Sequence, residues 1–401
     1  MHLTKEDRYI RRRLRQARKQ AREFYYCRKY PINPKKIVFT TIEGTTGFSC
    51  NPKYIALELL RRRQDLDLVW LVDDMSKKFP AGIRKVKNTL KNRAYELSTA
   101  AVWVDNSRKQ LECRKRPGQF YLQTWHASLH IKPTGLDRGA SFSKIANLVS
   151  CHDSNMVNIL ITNSPWMEKH APRNVVYTGQ TSRTGSPRVD VLLKDRQACR
   201  EKFRTKYGLS ADSKLLLYAP TFRSGSQGTK RSVDKQNKMP DFFRLKDSLI
   251  KKFGGNWTIV LRLHPQLTAR HIEAGISEKS SFIIDASKED DMSEVLGACD
   301  ILLTDYSAMS FDAAYMHLPV FLYVNDLCEY IDERGGLMWN LEDLPFIKAE
   351  NDDALFSAIS QFNAELYEKD VSKFLSDLEI LEDGNASKRV ADIIESHMGS
   401  R

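Results

Sequence analysis

DILLTDYSAMSFDAAYM (300–316) decides the fold. DILLT (300–304) is a short apolar run, and FDAAYM (311–316) reads as the opening of a helix. The hydroxyl-bearing turn TDYSAMSFD (304–312) joins them. A buried strand feeding directly into a helix is half of a βα unit. Working outward, the same alternation recurs along the whole chain. KIVFT (36–40), DLVWLV (67–72), AVWV (101–104), FYLQT (120–124), NILIT (158–162) and VVYT (175–178) form one set of strands. KLLLYA (214–219), WTIVLRL (257–263), FII (282–284), DILLT and PVFLYV (319–324) form a second. Near-continuous apolar strands separated by helices imply parallel sheets covered on both faces. The expected fold is therefore α/β, with two Rossmann-like domains facing across a cleft. The turn-rich stretch GQTSRTGSPRVD (179–190) marks the division. The expected segments are a basic helix over 1–35, an N-terminal domain over 36–190, a C-terminal domain over 191–370 and a closing helix over 371–401. SGSQGTKRSVDKQNKM (224–239) reads as a polar mobile loop or an ordinary surface insertion.

The charge is unevenly spread. Of a net +13 over 401 residues, residues 1–36 hold 13 Lys/Arg against three Asp/Glu, which leaves the remainder at +3. Thr4 and Asp7 have capping-box spacing. Tyr9/Ile10, Leu14, Ala17, Ala21 and Phe24/Tyr25 then trace one apolar stripe on a helix, among Arg11, Arg12, Arg13, Arg15, Arg18, Lys19 and Arg22. Such a helix can lie on an anionic membrane; the alternative is a basic helix docked on the protein's own body. A nucleic-acid partner is not expected, because the body offers no second basic surface. Seven scattered cysteines without CxxC spacing argue against a disulfide framework or structural zinc. No run approaches a membrane span and the N-terminus lacks a secretory core, so the cytoplasmic side is expected.

Chemistry-bearing residues gather at strand ends, where open α/β sheets bind ligands. His126 follows FYLQT, and histidine is the side chain suited to accept a proton near neutral pH. His130 and Lys132 lie close by, on another side of the turn. Arg262 and His264 in LRLHP (261–265) are two apart and share a face; an ion pair with a carboxylate is the bland alternative. Asp305, Ser307 and Ser310, with Thr304 before them, could hold a phosphate at a helix start, or simply cap it. Asp312 could accept ribose hydroxyls. Thr221 and Arg223, after KLLLYAP (214–220), could reach phosphates from the other side. The pairs Asp73–Asp74 and Asp290–Asp291 lack supporting His or Glu, so no metal site is expected. The absence of GxxxxGK and GxGxxG removes support for ATP-dependent or dinucleotide chemistry.

TWHASLHIKPTGLD (124–137), TGSPRVDVLL (184–193), LLYAPTFR (216–223), LRLHP (261–265), DILLTDYSAMSFD (300–312) and LMWNLEDLPF (337–346) together resemble the CDP-glycerol glycerophosphotransferases, the teichoic acid primases and polymerases. The resemblance covers roughly residues 36–365. It implies a glycosyltransferase-B fold and transfer of a polyol phosphate from CDP-glycerol or a related CDP-polyol, with release of CMP and no obligatory cofactor. It also implies a lipid-linked acceptor at the cytoplasmic face of a bacterial plasma membrane, in teichoic-acid-like or capsule synthesis. By this resemblance His126 is the general base, His264 a donor-phosphate ligand, and the Ser307 turn a pyrophosphate site. Ala127 and Ala308 depart from the family's usual glycine and serine. Two rivals stay open: a glycosyltransferase using a sugar nucleotide, and a non-catalytic membrane-surface protein binding nucleotides or headgroups.

Overall fold

The computed structural model of the chain describes residues 4–221, 239–263 and 281–399. The chain divides into two compact units. Residues 1–128, 134–190 and 380–401 form the first, and residues 129–133 and 191–379 the second.

In the first unit seven parallel strands are arranged β3-β2-β1-β4-β5-β6-β7. They are β1 (Asn33–Thr40), β2 (Asp67–Val72), β3 (Ile83–Lys87), β4 (Ala100–Asp105), β5 (Phe120–Gln123), β6 (Ile159–Thr162) and β7 (Gln180–Arg183). The strand order reverses between β1 and β4, where Thr40 pairs with Asp105. Alternation sends Ile37, Phe39, Leu68, Trp70 and Val72 to one face of the sheet and Val38, Val69 and Leu71 to the other. The helix α1 (Lys5–Cys27) covers the second face together with Ala94 and Leu97 of the helix Leu90–Thr99. Its capping box forms: Thr4 Oγ1 accepts from Asp7 N–H at 3.1 Å, and Asp7 Oδ2 from Thr4 N–H at 3.2 Å.

Four expectations are corrected. The apolar stripe of α1 does not lie free for a lipid surface: Ala17, Ala21, Phe24 and Cys27 are buried in the unit's own core. Arg11, Arg12, Arg15, Arg18, Lys19 and Arg22 stay exposed and Arg13 half-buried. VVYT (175–178) is not a strand, because Val176 has φ 59° and turns the chain; the strand is the polar QTSR (180–183) instead. The closing helix is two helices, Ala364–Asp377 and Ala386–Gly399, broken where Glu379 adopts φ 49°. The last of these belongs to the first unit, where Val390, Ala391 and Ile394 join Phe39 and Trp70 in the core. Asp190 caps it, accepting from Ala386 N–H at 3.0 Å and Ser387 N–H at 2.7 Å.

The second unit holds six parallel strands in the order β10-β9-β8-β11-β12-β13. They are β8 (Lys214–Ala219), β9 (Trp257–Leu261), β10 (Ile283–Asp285), β11 (Ile301–Thr304), β12 (Val320–Tyr323) and β13 (Ile347–Ala349). This is the order of a Rossmann sheet, reversing between β8 and β11. The segment 129–133 belongs to this unit, where Ile131 O accepts from Met338 N–H at 2.9 Å and His130 O from Trp339 Nε1–H at 3.1 Å. Among the described residues no helix is long and apolar enough to cross a membrane.

Candidate active site

In the first unit the site is built where β1, β4 and β5 end. Trp125, two residues past the end of β5, takes φ 51°, a conformation that costs a bulky residue energy and swings the chain out of the strand line. Its backbone is held from both sides. Gln123 Oε1 accepts from Trp125 N–H at 2.9 Å, and Asn51 Nδ2 donates to Trp125 O at 3.1 Å. Arg188 donates to His126 O, while its own N–H bonds Asn51 Oδ1 at 3.0 Å. The Arg108 guanidinium lies over the Trp125 ring at 4.5 Å.

This turn delivers His126 to an exposed position with its ring 4.6 Å from that of Trp125. His126 Nδ1 lies 2.8 Å from Asn106 O. A carbonyl can only accept, so in the neutral ring Nδ1 carries the hydrogen and Nε2 the basic lone pair. Asn106 is fixed in turn: its Oδ1 accepts from Ile42 N–H at 2.8 Å, across the point where the strand order reverses. Nearby, Ser128 and Ser186 share a hydroxyl hydrogen bond of 2.7 Å. Glu382 receives Ser186 N–H at 3.0 Å, and Gly185 (φ 81°) is required there because a Cβ would stand 2.7 Å from Leu381 O.

Behind the turn lies a buried ionic cluster. Asp105 pairs with Lys109, whose Nζ also donates to Thr40 Oγ1 at 3.0 Å. Asp153 Oδ1 accepts from Lys109 N–H at 2.8 Å and from Tyr121 O–H at 2.9 Å. Burial, with the Asp105 carboxylate adding to it, pushes Asp153 up to about 7. Burial raises Asp105 as well, against its pairing with Lys109.

In the second unit the strand ends bring together a different set. Asp305 is buried at 2 % exposure and accepts from Thr221 N–H at 2.9 Å and Thr221 O–H at 3.1 Å. This spans the reversal between β8 and β11. Arg262, just past β9, donates from Nη1 to Ala286 O at 2.9 Å and Ser287 O at 3.4 Å. Burial lowers its pKa, against the carboxylates of Asp291, Glu289 and Asp290.

Several donor-site expectations change here. Thr304, at 1 % exposure, gives its hydroxyl to Ala219 O at 2.7 Å, and Ser310, at 0 %, gives its hydroxyl to Ser307 O at 2.8 Å. Both hydroxyl hydrogens are spent on internal ties. The turn before the helix Met309–Tyr315 also closes on itself. Met309 N–H bonds Ser307 Oγ at 3.3 Å, and the N–H groups of Ser310 and Phe311 bond Ser307 O and Ala308 O, both at 3.2 Å. Ser307 thus makes a local turn bond one residue before the N-cap, Ala308; both are half-buried, as is Asp312 on the helix. Arg223, His264 and the polar loop, except Met239, lie outside the described residues. His130 is buried within the second unit and Lys132 half-buried. Asp74 receives Ser76 and Asp291 receives Ser293 N–H, and among the described residues no group of three His, Cys, Asp or Glu is gathered for a metal.

The sequence reading missed Asn51, Asn106, Gln123, Asp153 and Arg188. Asn106 alone carried a signal, since it follows a strand at the sheet's reversal.

A family model for CDP-glycerol:poly(glycerophosphate) glycerophosphotransferases matches residues 23–396. The chain belongs to that family. It is 28% identical over 388 residues to the teichoic acid poly(glycerol phosphate) polymerase of Bacillus spizizenii, covering 90% of this chain and 92% of that one. The teichoic acid glycerol-phosphate transferase of Staphylococcus aureus is likewise 28% identical, with 90% and 93% covered. Against longer relatives, such as the poly(glycerol phosphate) polymerases of Staphylococcus epidermidis and Bacillus subtilis, the chain spans about half the length (51% and 50%). The fold is that of the wall teichoic acid polymerase TagF, with a TM-score of 0.80 at 24% identity over 99% of both chains.

Proposed function

We propose that the chain transfers glycerol phosphate from CDP-glycerol to a hydroxyl of a membrane-linked acceptor and releases CMP. The observation that carries this reading is His126. It is presented on a strained turn after β5, with its Nδ1–H spent on Asn106 O at the reversal of the first sheet and its basic nitrogen therefore Nε2. The acceptor hydroxyl gives its proton to Nε2 while its oxygen bonds to the β-phosphorus of the donor. The bond from that phosphorus to the bridging oxygen breaks, and the electron pair leaves on CMP. Such a transfer asks of a protein mainly positioning and charge stabilisation. Arg262 and the Ser307 turn are the donor-side groups of this reading, with Thr221 and Asp305 as their scaffold and Asp312 toward the ribose. His264 and Arg223 are carried only by the family resemblance. The exposed arginines and Lys19 of α1 would hold the enzyme to an anionic surface at the cytoplasmic face.

The test is to incubate purified protein with CDP-glycerol, CDP-ribitol and UDP-sugars beside a lipid-linked hydroxyl acceptor and to follow the products by mass. CMP release with a gain of one glycerol phosphate on the acceptor supports the reading. UDP release with a hexose increment refutes it in favour of sugar transfer.

A further inference from the structure

Gln123 closes β5 and is buried at 2 % exposure. Its side chain touches both strand-end loops that define the His126 ring. Oε1 accepts from Trp125 N–H at 2.9 Å, on the residue before His126. Nε2 donates at 3.0 Å to Ser107 O, on the residue after Asn106, whose carbonyl receives His126 Nδ1–H. The amide cannot be reversed without facing donor to donor at Trp125 and acceptor to acceptor at Ser107, so its orientation is set by two backbone groups. Nε2 also donates to Tyr121 Oη at 3.0 Å. Tyr121, fully buried, therefore passes its own proton to Asp153 Oδ1 at 2.9 Å. The hydrogen bonds run in one direction, from Gln123 through Tyr121 to the Asp153 carboxyl, whose Oδ1 accepts and ends them.

We infer that Gln123, held by Tyr121 and Asp153, is the positioning residue for His126, locking the ring's distance and tautomer by tying its turn to the loop that carries its hydrogen-bond acceptor. For turnover this rests on His126 being the proton acceptor; for ring geometry it does not. Buried networks of this kind fix geometry when every member is satisfied and fail when one is not.

The test uses the full chain with Gln123→Glu, which keeps the shape and the acceptor at Trp125 but turns the donor at Ser107 O into an acceptor. Tyr121→Phe is the second variant, in case the first does not fold. Two readouts are taken: steady-state kinetics against pH, and the imidazole nitrogen spectrum of isotopically labelled His126. The expected result is a fall in kcat of about 10- to 100-fold, the scale of a displaced catalytic group, with donor KM within about twofold. The deficit of Gln123→Glu should shrink toward pH 5, where the introduced carboxyl regains a proton to donate. Tyr121→Phe should fall in the same sense without that recovery. In the spectrum, the Nδ1–H tautomer of His126 should give way to a mixture. An unchanged His126 spectrum overturns the inference outright, as does an unchanged kcat in both variants when His126→Ala is inactive. Should His126→Ala turn over normally, the base assignment falls, and the ring spectrum alone decides the positioning.

Discussion

Asp153 gives a stability prediction with a definite sign. It is 3 % exposed, and burial, then the neighbouring Asp105 carboxylate, raises its pKa from 3.8 to about 7. The hydrogen bonds from Lys109 N–H and Tyr121 O–H and the charge of Lys109 oppose this without overcoming it. In the unfolded chain Asp153 loses its proton near 3.8, whereas the fold keeps it to about 7. The fold is therefore penalised progressively as pH rises through that window, and the penalty is complete above it. Between pH 5 and pH 8 this costs on the order of 2–3 kcal/mol. Asp153→Asn keeps an oxygen for both donors and removes the titration. The variant should thus gain on the order of 2–3 kcal/mol relative to the parent over that pH range. The measurement is hydrogen exchange of the β1 and β4 amides, central in the first unit's sheet, at pH 5, 6, 7 and 8 for both proteins. Parallel stability curves would refute the reasoning and mean that Asp153 ionises in the fold much as it does in the open chain.

Three further outcomes are expected. His126→Ala should lower CMP release by about 10²- to 10⁴-fold, the contribution of a general base, while CDP-glycerol still binds in calorimetry; equal loss of binding would remove the base role. Phe24→Ala, at a fully buried position in the core of the first unit, should cost about 3–5 kcal/mol in urea denaturation without any lipid present; a change below about 0.5 kcal/mol would mean that α1 is not part of the body. Replacing Arg11, Arg12, Arg15, Arg18, Lys19 and Arg22 by Gln should weaken sedimentation with anionic vesicles by roughly 1 kcal/mol per residue, most at low salt, with no loss of CMP release on a soluble acceptor. Unaltered sedimentation would take the membrane contact away from α1.

The central strands were legible because burial on both faces demands unbroken apolar runs, as in DLVWLV and KLLLYA. The edges were not. β3 (IRKVK), β7 (QTSR) and β13 (IKA) are half-exposed, and polar side chains there erase the pattern on which the reading depends. The amphipathic stripe of α1 was legible as a stripe, but periodicity states only that one face is apolar and not what covers it. Phe24 went to Leu97 and Trp103 rather than to lipid. Hydroxyls at strand ends also have local uses that a sequence pattern does not show. Thr304 and Ser310 have the right chemistry at the right place along the chain, yet nearby backbone carbonyls use them first.

What sequence pattern cannot carry is backbone strain, and here strain marks the site. Among the described residues seven non-glycine positions have φ above zero, and four of them, Ile42, Glu43, Cys50 and Trp125, lie on the loops around His126. None is a type that favours this conformation, so nothing in the letters announces it. Each is held by a named partner or borders one: Ile42 N–H on Asn106, Glu43 N–H on Ser107 Oγ at 2.9 Å, Cys50 before Asn51, and Trp125 between Asn51 and Gln123. Strained residues persist only where the surroundings over-determine them. The buried amides of Asn51, Asn106 and Gln123 supply that constraint, which gives an apparently ordinary set of polar side chains a reason to stand at the end of this sheet. Three residues beyond the end of β5, a histidine kept in the line of the strand would have pointed to a face of the sheet; the turn at Trp125 instead sets it against Asn106, on the loop beyond β4 where the sheet reverses.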